Sequence, residues 1–98
     1  GADGAIIATS GVVPEMSMAM FDACRRGDWA EAKRIQYALL PFISALFEID
    51  FPEGFRLGVS LRGFNMGIGR QKLSENQSAR LQSMRGKLLE LINECPTR

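Results

Sequence analysis

Histidine is absent from all 98 residues. Without an imidazole there is no Ser-His-Asp or Cys-His nucleophile system and no His-ligated zinc. Cysteine occurs only at Cys24 and Cys95, and no Cys-x-x-Cys spacing exists. That removes the usual zinc and thioredoxin-type patterns, and no metal site is expected. The two thiols read as small buried hydrophobes of a cytoplasmic protein, with a disulfide as the alternative. An excess of one charge is missing too. Twelve Lys and Arg against eleven Asp and Glu leave a net charge of +1. That balance argues against a surface built to hold nucleic acid. No apolar run approaches the roughly 20 residues that a bilayer span requires, so no membrane partner is expected. Glycine at 10 and proline at 4 are too few for a collagen-like or low-complexity chain. The sequence opens Gly1-Ala2-Asp3-Gly4, with no initiator Met and no basic stretch. A signal peptide is therefore not expected, and the chain reads as a piece of something longer.

What is present is mostly helical pattern. The exception is residues 4–9, Gly-Ala-Ile-Ile-Ala-Thr, an apolar run bounded by Asp3-Gly4 and Ser10-Gly11. Its length and flanks predict a β-strand buried on both faces. Pro14-Glu15 opens a helix over about 14–26, which Arg25-Arg26-Gly27 closes with cations and a glycine. Asp28-Trp29-Ala30-Glu31 is an acid-x-x-Glu start for the next helix. Its expected apolar stripe is Trp29, Ala32, Leu39, Leu40, Ile43, Leu46 and Phe47, with Pro41 expected to kink it. Phe51-Pro52-Glu53-Gly54 is a break. Residues 55–64 form a short helix weakened by Gly58, and 65–73 form a loop. Ser74-Glu75-Asn76-Gln77 is a capping box. It starts a helix whose stripe is Leu81, Met84, Leu88, Leu91, Ile92 and Cys95, ended by Pro96. The predicted fold is mostly α, one N-terminal strand and about four helices. A lone strand cannot satisfy its own backbone, so the pattern reads as the end of a βα architecture.

Few residues invite chemistry. Gly67-Ile68-Gly69 is a fragment of a phosphate-loop pattern that follows no strand, and the five methionines read as core filler. Arg25-Arg26 reads as a helix end facing water. Lys33, Lys72 and Lys87 fall on helices or a loop, not on a strand where burial could tune an amine into a nucleophile. Tyr37 is the sole tyrosine. No catalytic constellation is expected within this chain.

The run from Gly1-Ala2-Asp3-Gly4 through Ile6-Ile7-Ala8 to Pro14-Glu15 resembles the last barrel strand of the dihydrodipicolinate synthase / N-acetylneuraminate lyase family. Gly27-Asp28-Trp29-Ala30-Glu31-Ala32 looks like that family's Gly-Asp-x-x-x-Ala junction. Leu40-Pro41 and Leu46-Phe47 look like its Met-Pro and Leu-Phe positions. The stretch from Phe55-Arg56 to Gly63, then Gly67 to Leu73, resembles the segment before its Arg-Pro-Pro-Leu loop, with Arg70 as the Arg. Gly11 stands where the family usually has Asn, and Gln71-Lys72 replaces Pro-Pro, which leaves the subfamily open.

The resemblance implies the C-terminal fragment of a (β/α)8 barrel with a helical extension. Residues 1–27 would be the last βα unit and 28–98 the extension. It also implies a pyruvate-dependent lyase that works through a Schiff base, with no separate cofactor. A strand lysine forms an imine with pyruvate or a related 2-oxo acid, and the protonated imine takes up electrons. The family layout puts that lysine and a proton-shuttling tyrosine before residue 1. The expected partners are the missing N-terminal barrel portion, the 2-oxo acid and further copies of the chain, as a homo-oligomer. Barrel active sites lie at the C-terminal ends of the strands, so Ile6, Ile7 and Ala8 become the candidate substrate-lining residues. Ala8 lacks the hydroxyl that sialic-acid-cleaving relatives carry there, which argues against a polyol substrate. The rival reading is a stand-alone helical interaction module.

Overall fold

The computed structural model describes residues 1–95, so the expected helix stop at Pro96 lies outside the described residues. A 3-10 turn, Ala8–Gly11, precedes four helices: α1 (Pro14–Arg25), α2 (Trp29–Phe47), α3 (Glu53–Leu61) and α4 (Glu75–Asn93).

The helix ends follow local chemistry. Pro14 occupies the first turn of α1 with Glu15 beside it. Gly27 then takes φ of +75°, a left-handed conformation that releases the chain from α1. The Asp28 side chain caps α2 by accepting from the Glu31 amide at 3.1 Å. Glu31 does not complete the reciprocal bond; its carboxylate binds Arg34 at 2.7 Å on both oxygens. Ser74 and Gln77 form a full capping box at the start of α4, with bonds of 3.2 and 2.8 Å. Helix α2 runs unbroken through Pro41. Both Pro41 and Tyr37 are exposed, so the Tyr37 carbonyl that loses its amide partner sits on the solvent side.

The expected strand at residues 4–9 does not form. Among the described residues there is no β-strand, so the chain contributes no sheet and no barrel strand here. Ile7 keeps an extended conformation, φ −134° and ψ 136°, but Ala8 already turns into the 3-10 segment. The cause is nonlocal. A strand is held by a neighbour's ladder of hydrogen bonds, and no other described segment offers one. The backbone instead bonds to itself. Ser10 Oγ donates to the Ile7 carbonyl at 2.6 Å. The Val12 and Val13 amides donate to the Thr9 carbonyl at 3.0 and 3.1 Å.

The turn delivers Val12 and Val13, both fully buried, into one core with Met16 of α1. Ile35, Leu39, Phe42 and Leu46 of α2, Phe55 of α3, and Met84, Leu88 and Ile92 of α4 complete it. Two glycines let α3 come close. A Cβ on Gly54 would run into the Leu46 carbonyl of α2, and one on Gly58 would lie 2.9 Å from Val12 Cγ1. Gly58 therefore marks a contact, which outweighs its weakness as a helix former. A clamp from Arg62 to the Glu15 carboxylate ties the end of α3 to the first turn of α1.

The expected α2 stripe splits. Ala32, Leu39 and Leu46 are buried, while Trp29, Leu40 and Phe47 are exposed, Trp29 at 69%. At 100° per residue Trp29, Leu40 and Phe47 fall within about 20° of one another, away from the core-facing residues. Helix α2 thus has two apolar faces, and among the described residues the second stays largely exposed. The methionines divide as well: Met16 and Met84 are buried, whereas Met18 and Met66 are exposed. Cys95 is buried and Cys24 only half-buried, so the buried-thiol expectation fits Cys95 better than Cys24. The radius of gyration is 14.6 Å, against about 13 Å for a compact chain of this length. No helix among the described residues is long and apolar enough to cross a membrane.

Candidate functional site

Of the three candidate lining residues, Ile6 is fully exposed, Ile7 is exposed and Ala8 lies at the mouth of a hollow. The hollow measures about 190 Å³. Opposite Ala8 it is walled by Phe51, Pro52, Phe55 and Arg56, with Val59 and Met66 completing it. The aromatic side is built by spacing. Phe47, Phe51 and Phe55 recur every four residues, and the rings stay together although the helix breaks between them. Phe47 and Phe55 have centroids 5.1 Å apart at 80°, and Phe51 and Phe55 5.5 Å apart at 63°. These edge-to-face contacts are the arrangement that ring quadrupoles favour.

Arg56 is the one charged residue in the wall. Its Nη1 donates to the Met66 carbonyl at 2.9 Å, which pins the segment after α3 over the hollow. Its Nε lies 3.4 Å from Glu53 Oε2, is buried and has no hydrogen bond. The hollow is therefore an apolar recess whose one guanidinium is already paired to Glu53. It can shape an apolar ligand, but none of its wall residues is a nucleophile, general acid or general base.

The lysines do not remedy this. Lys33, Lys72 and Lys87 are all exposed, and Lys87 is paired to Glu48 at 2.8 Å. Lys33 Nζ lies 5.8 Å from the ring centre of Tyr37. Both residues stand four apart on an exposed face of α2, where nothing excludes water. An amine in that setting lacks the burial that tunes a lysine toward nucleophilicity. Among the described residues no group of three or more His, Cys, Asp or Glu could hold a metal ion. The glycine fragment has other uses. The Gly67 amide donates to Asn65 Oδ1 at 2.9 Å in a tight turn, and Gly69 packs on the Glu53 carboxylate. Arg25 and Arg26 are exposed, and the Arg25 guanidinium lies 5.9 Å from the Phe21 ring centre.

Sequence reasoning missed Phe51, Pro52, Phe55 and Met66 as neighbours of Ala8. The four-residue recurrence of phenylalanine was the available signal.

Residues 1–91 match the model of the dihydrodipicolinate synthetase family. The chain belongs to that family. Several 4-hydroxy-tetrahydrodipicolinate synthases are similar to it. The one from Methanopyrus kandleri is 32% identical over 91 residues, covering 93% of this chain and 30% of the relative. The one from Methanosphaerula palustris is 35% identical over 75 residues, 76% of this chain and 26% of the relative. The one from Limosilactobacillus reuteri is 30% identical over 86 residues, 85% of this chain and 28% of the relative. This dihydrodipicolinate synthetase family chain thus spans about 30% of the length of the relatives it matches. No solved structure matches it significantly.

Proposed function

We propose that this chain is the C-terminal part of a Schiff-base-forming, pyruvate-dependent lyase, and that it does not catalyse the reaction alone. Family membership supports the lyase reading. The observation that carries the second half is the exposure of every lysine, with none beside the hollow at Ala8. The imine lysine and the proton-shuttling tyrosine would come from the portion of the family's chain that this one does not match. In the complete assembly Ile6, Ile7 and Ala8 would line the pocket of a 2-oxo acid. Residues 1–27 would join that missing portion and residues 28–98 would extend it. The expected setting is cytoplasmic.

Two measurements test this. Borohydride treatment of the 98-residue chain with pyruvate should give no covalent adduct; a specific adduct on a lysine would overturn the claim of incompetence. Mixing the chain with the Methanopyrus kandleri synthase lacking its matched 30% should restore trapping on the larger piece. No restoration, with both pieces folded, would favour the helical interaction module.

The outward stripe of Trp29, Leu40 and Phe47 supports self-association as well. Light scattering after size exclusion should show a species heavier than the monomer. A monomer at high concentration would count against it.

A further inference from the structure

A second recess lies between α3 and α4, bordered on one side by residues 67–69 and 71–73. Its volume of about 480 Å³ falls within the range of small-molecule sites, roughly 300–1,000 Å³. Half-buried Leu57, Leu73 and Leu81 give it an apolar lining, with the exposed Ile68 at its rim. The charges around it are uneven: Arg56, Lys72 and Arg85 against Glu53. Arg56 and Glu53 pair with each other at 3.4 Å, so their charges cancel.

Lys72 and Arg85 are left over. Neither side chain has a hydrogen-bond or ion-pair partner among the described residues. By contrast Arg34, Arg62, Arg80 and Lys87 are each engaged by a carboxylate or a carbonyl. Two uncompensated cations on one recess with low-dielectric walls reinforce each other's field inside it. The guanidinium fork of an arginine matches the two oxygens of a carboxylate or phosphate, and a lysine adds a point charge. Ser78, one helical turn from Leu81 and two from Arg85, adds a hydroxyl to the same lining.

We propose that this recess binds a small amphipathic anion. Its carboxylate or phosphate head would sit at Arg85 and Lys72 and its apolar body on Leu57, Ile68, Leu73 and Leu81. The proposal does not rest on the lyase reading, since it uses only residues 53–85 of this chain.

The test is a nuclear magnetic resonance titration of the labelled full chain. The probes are octanoate, octyl phosphate, acetate and octanol. Octanoate or octyl phosphate should shift the amides of Gly67, Leu81 and Arg85 saturably, at concentrations at least about tenfold lower than acetate or octanol. The stronger of the two identifies the head group. Combined Lys72→Glu and Arg85→Glu should weaken that binding by at least about tenfold, corresponding to about 1.4 kcal/mol. Lys33→Glu, an exposed cation elsewhere, should leave it unchanged. Circular dichroism establishes that each variant folds. Binding that survives charge reversal, shifts that never saturate, or shifts confined to Trp29 and Phe47 would each overturn the proposal.

Discussion

Replacing Gly54 with alanine adds one methyl group, and the structure sets its cost. Alanine is the better helix former by about 1 kcal/mol in a helix interior. Gly54 sits in the first turn of α3, so the gain there is at most that. Against it stands the Leu46 carbonyl of α2, into which the new Cβ would be driven. That oxygen belongs to a helix backbone and cannot rotate aside as a side chain could. Relief requires α3 to move off α2, an overpacking cost of about 1–3 kcal/mol. The net loss should be about 1–2 kcal/mol, and at about 4–8 °C per kcal/mol for a domain this size the melting temperature should fall by roughly 5–15 °C. Gly86 supplies the control. It lies inside α4 with nothing within 4 Å of its would-be Cβ. Gly86→Ala should therefore gain up to about 1 kcal/mol and melt roughly 4–8 °C higher. Both variants are read by far-ultraviolet circular dichroism. A Gly54→Ala chain melting at or above the parent would refute the close approach of α3 to α2.

Leu88 is fully buried on α4, so Leu88→Ala should cost about 2–5 kcal/mol in a urea titration, while Ala79→Ser on the exposed face changes little. Arg62→Ala should cost about 1–3 kcal/mol, because Glu15 would keep a buried carboxylate oxygen with its cation gone. Glu15→Gln combined with Arg62→Ala should recover part of that loss on the same assay. The hydrogen bond from Arg34 holds the Glu31 carboxyl below its ordinary value. A lowered carboxyl stabilises the folded state above the unfolded pKa. The contribution should therefore be full above the ordinary glutamate range and fade as pH falls through the lowered value. A titration following the Glu31 side chain should show its midpoint moving up in Arg34→Ala, and an unmoved midpoint would contradict the pairing.

The boundaries of α1 and the starts of α2 and α4 were legible because they rest on neighbours in sequence, whereas α3, expected over 55–64, runs Glu53–Leu61 and takes in half of the expected break. Pro14-Glu15, Gly27, Asp28 and Ser74-Gln77 act within one turn, and a reader of residues sees one turn. The α4 stripe was legible for the same reason: Met84, Leu88 and Ile92 share a face and are buried, and Cys95, just past the helix end, is buried too. The strand was not legible, because Ile6 and Ile7 state a preference that only a neighbouring strand can fulfil. Gly58 looked like a weak point since its packing on Val12 crosses 46 positions. Trp29, Leu40 and Phe47 fit a helical period, but a period does not say how many faces a helix must bury. In the candidate site, Ala8 was picked from the family resemblance, and its role as a lining residue belongs to the proposal. Its opposite wall, more than 40 residues away, was visible only as a recurrence of phenylalanine.

Self-association through the outward face of α2, as proposed, would make concentration a hidden variable of stability. Any copy that covers Trp29, Leu40 and Phe47 binds the folded chain and not the unfolded one. Mass action then adds about 2.7 kcal/mol when that partner is present at a hundred times its dissociation constant. That exceeds the expected effect of either glycine variant. A dilute sample and a concentrated one would therefore melt at different temperatures with no bond changed inside the monomer. The difference between Gly54→Ala and Gly86→Ala at one concentration stays fixed by the packing of α3 on α2.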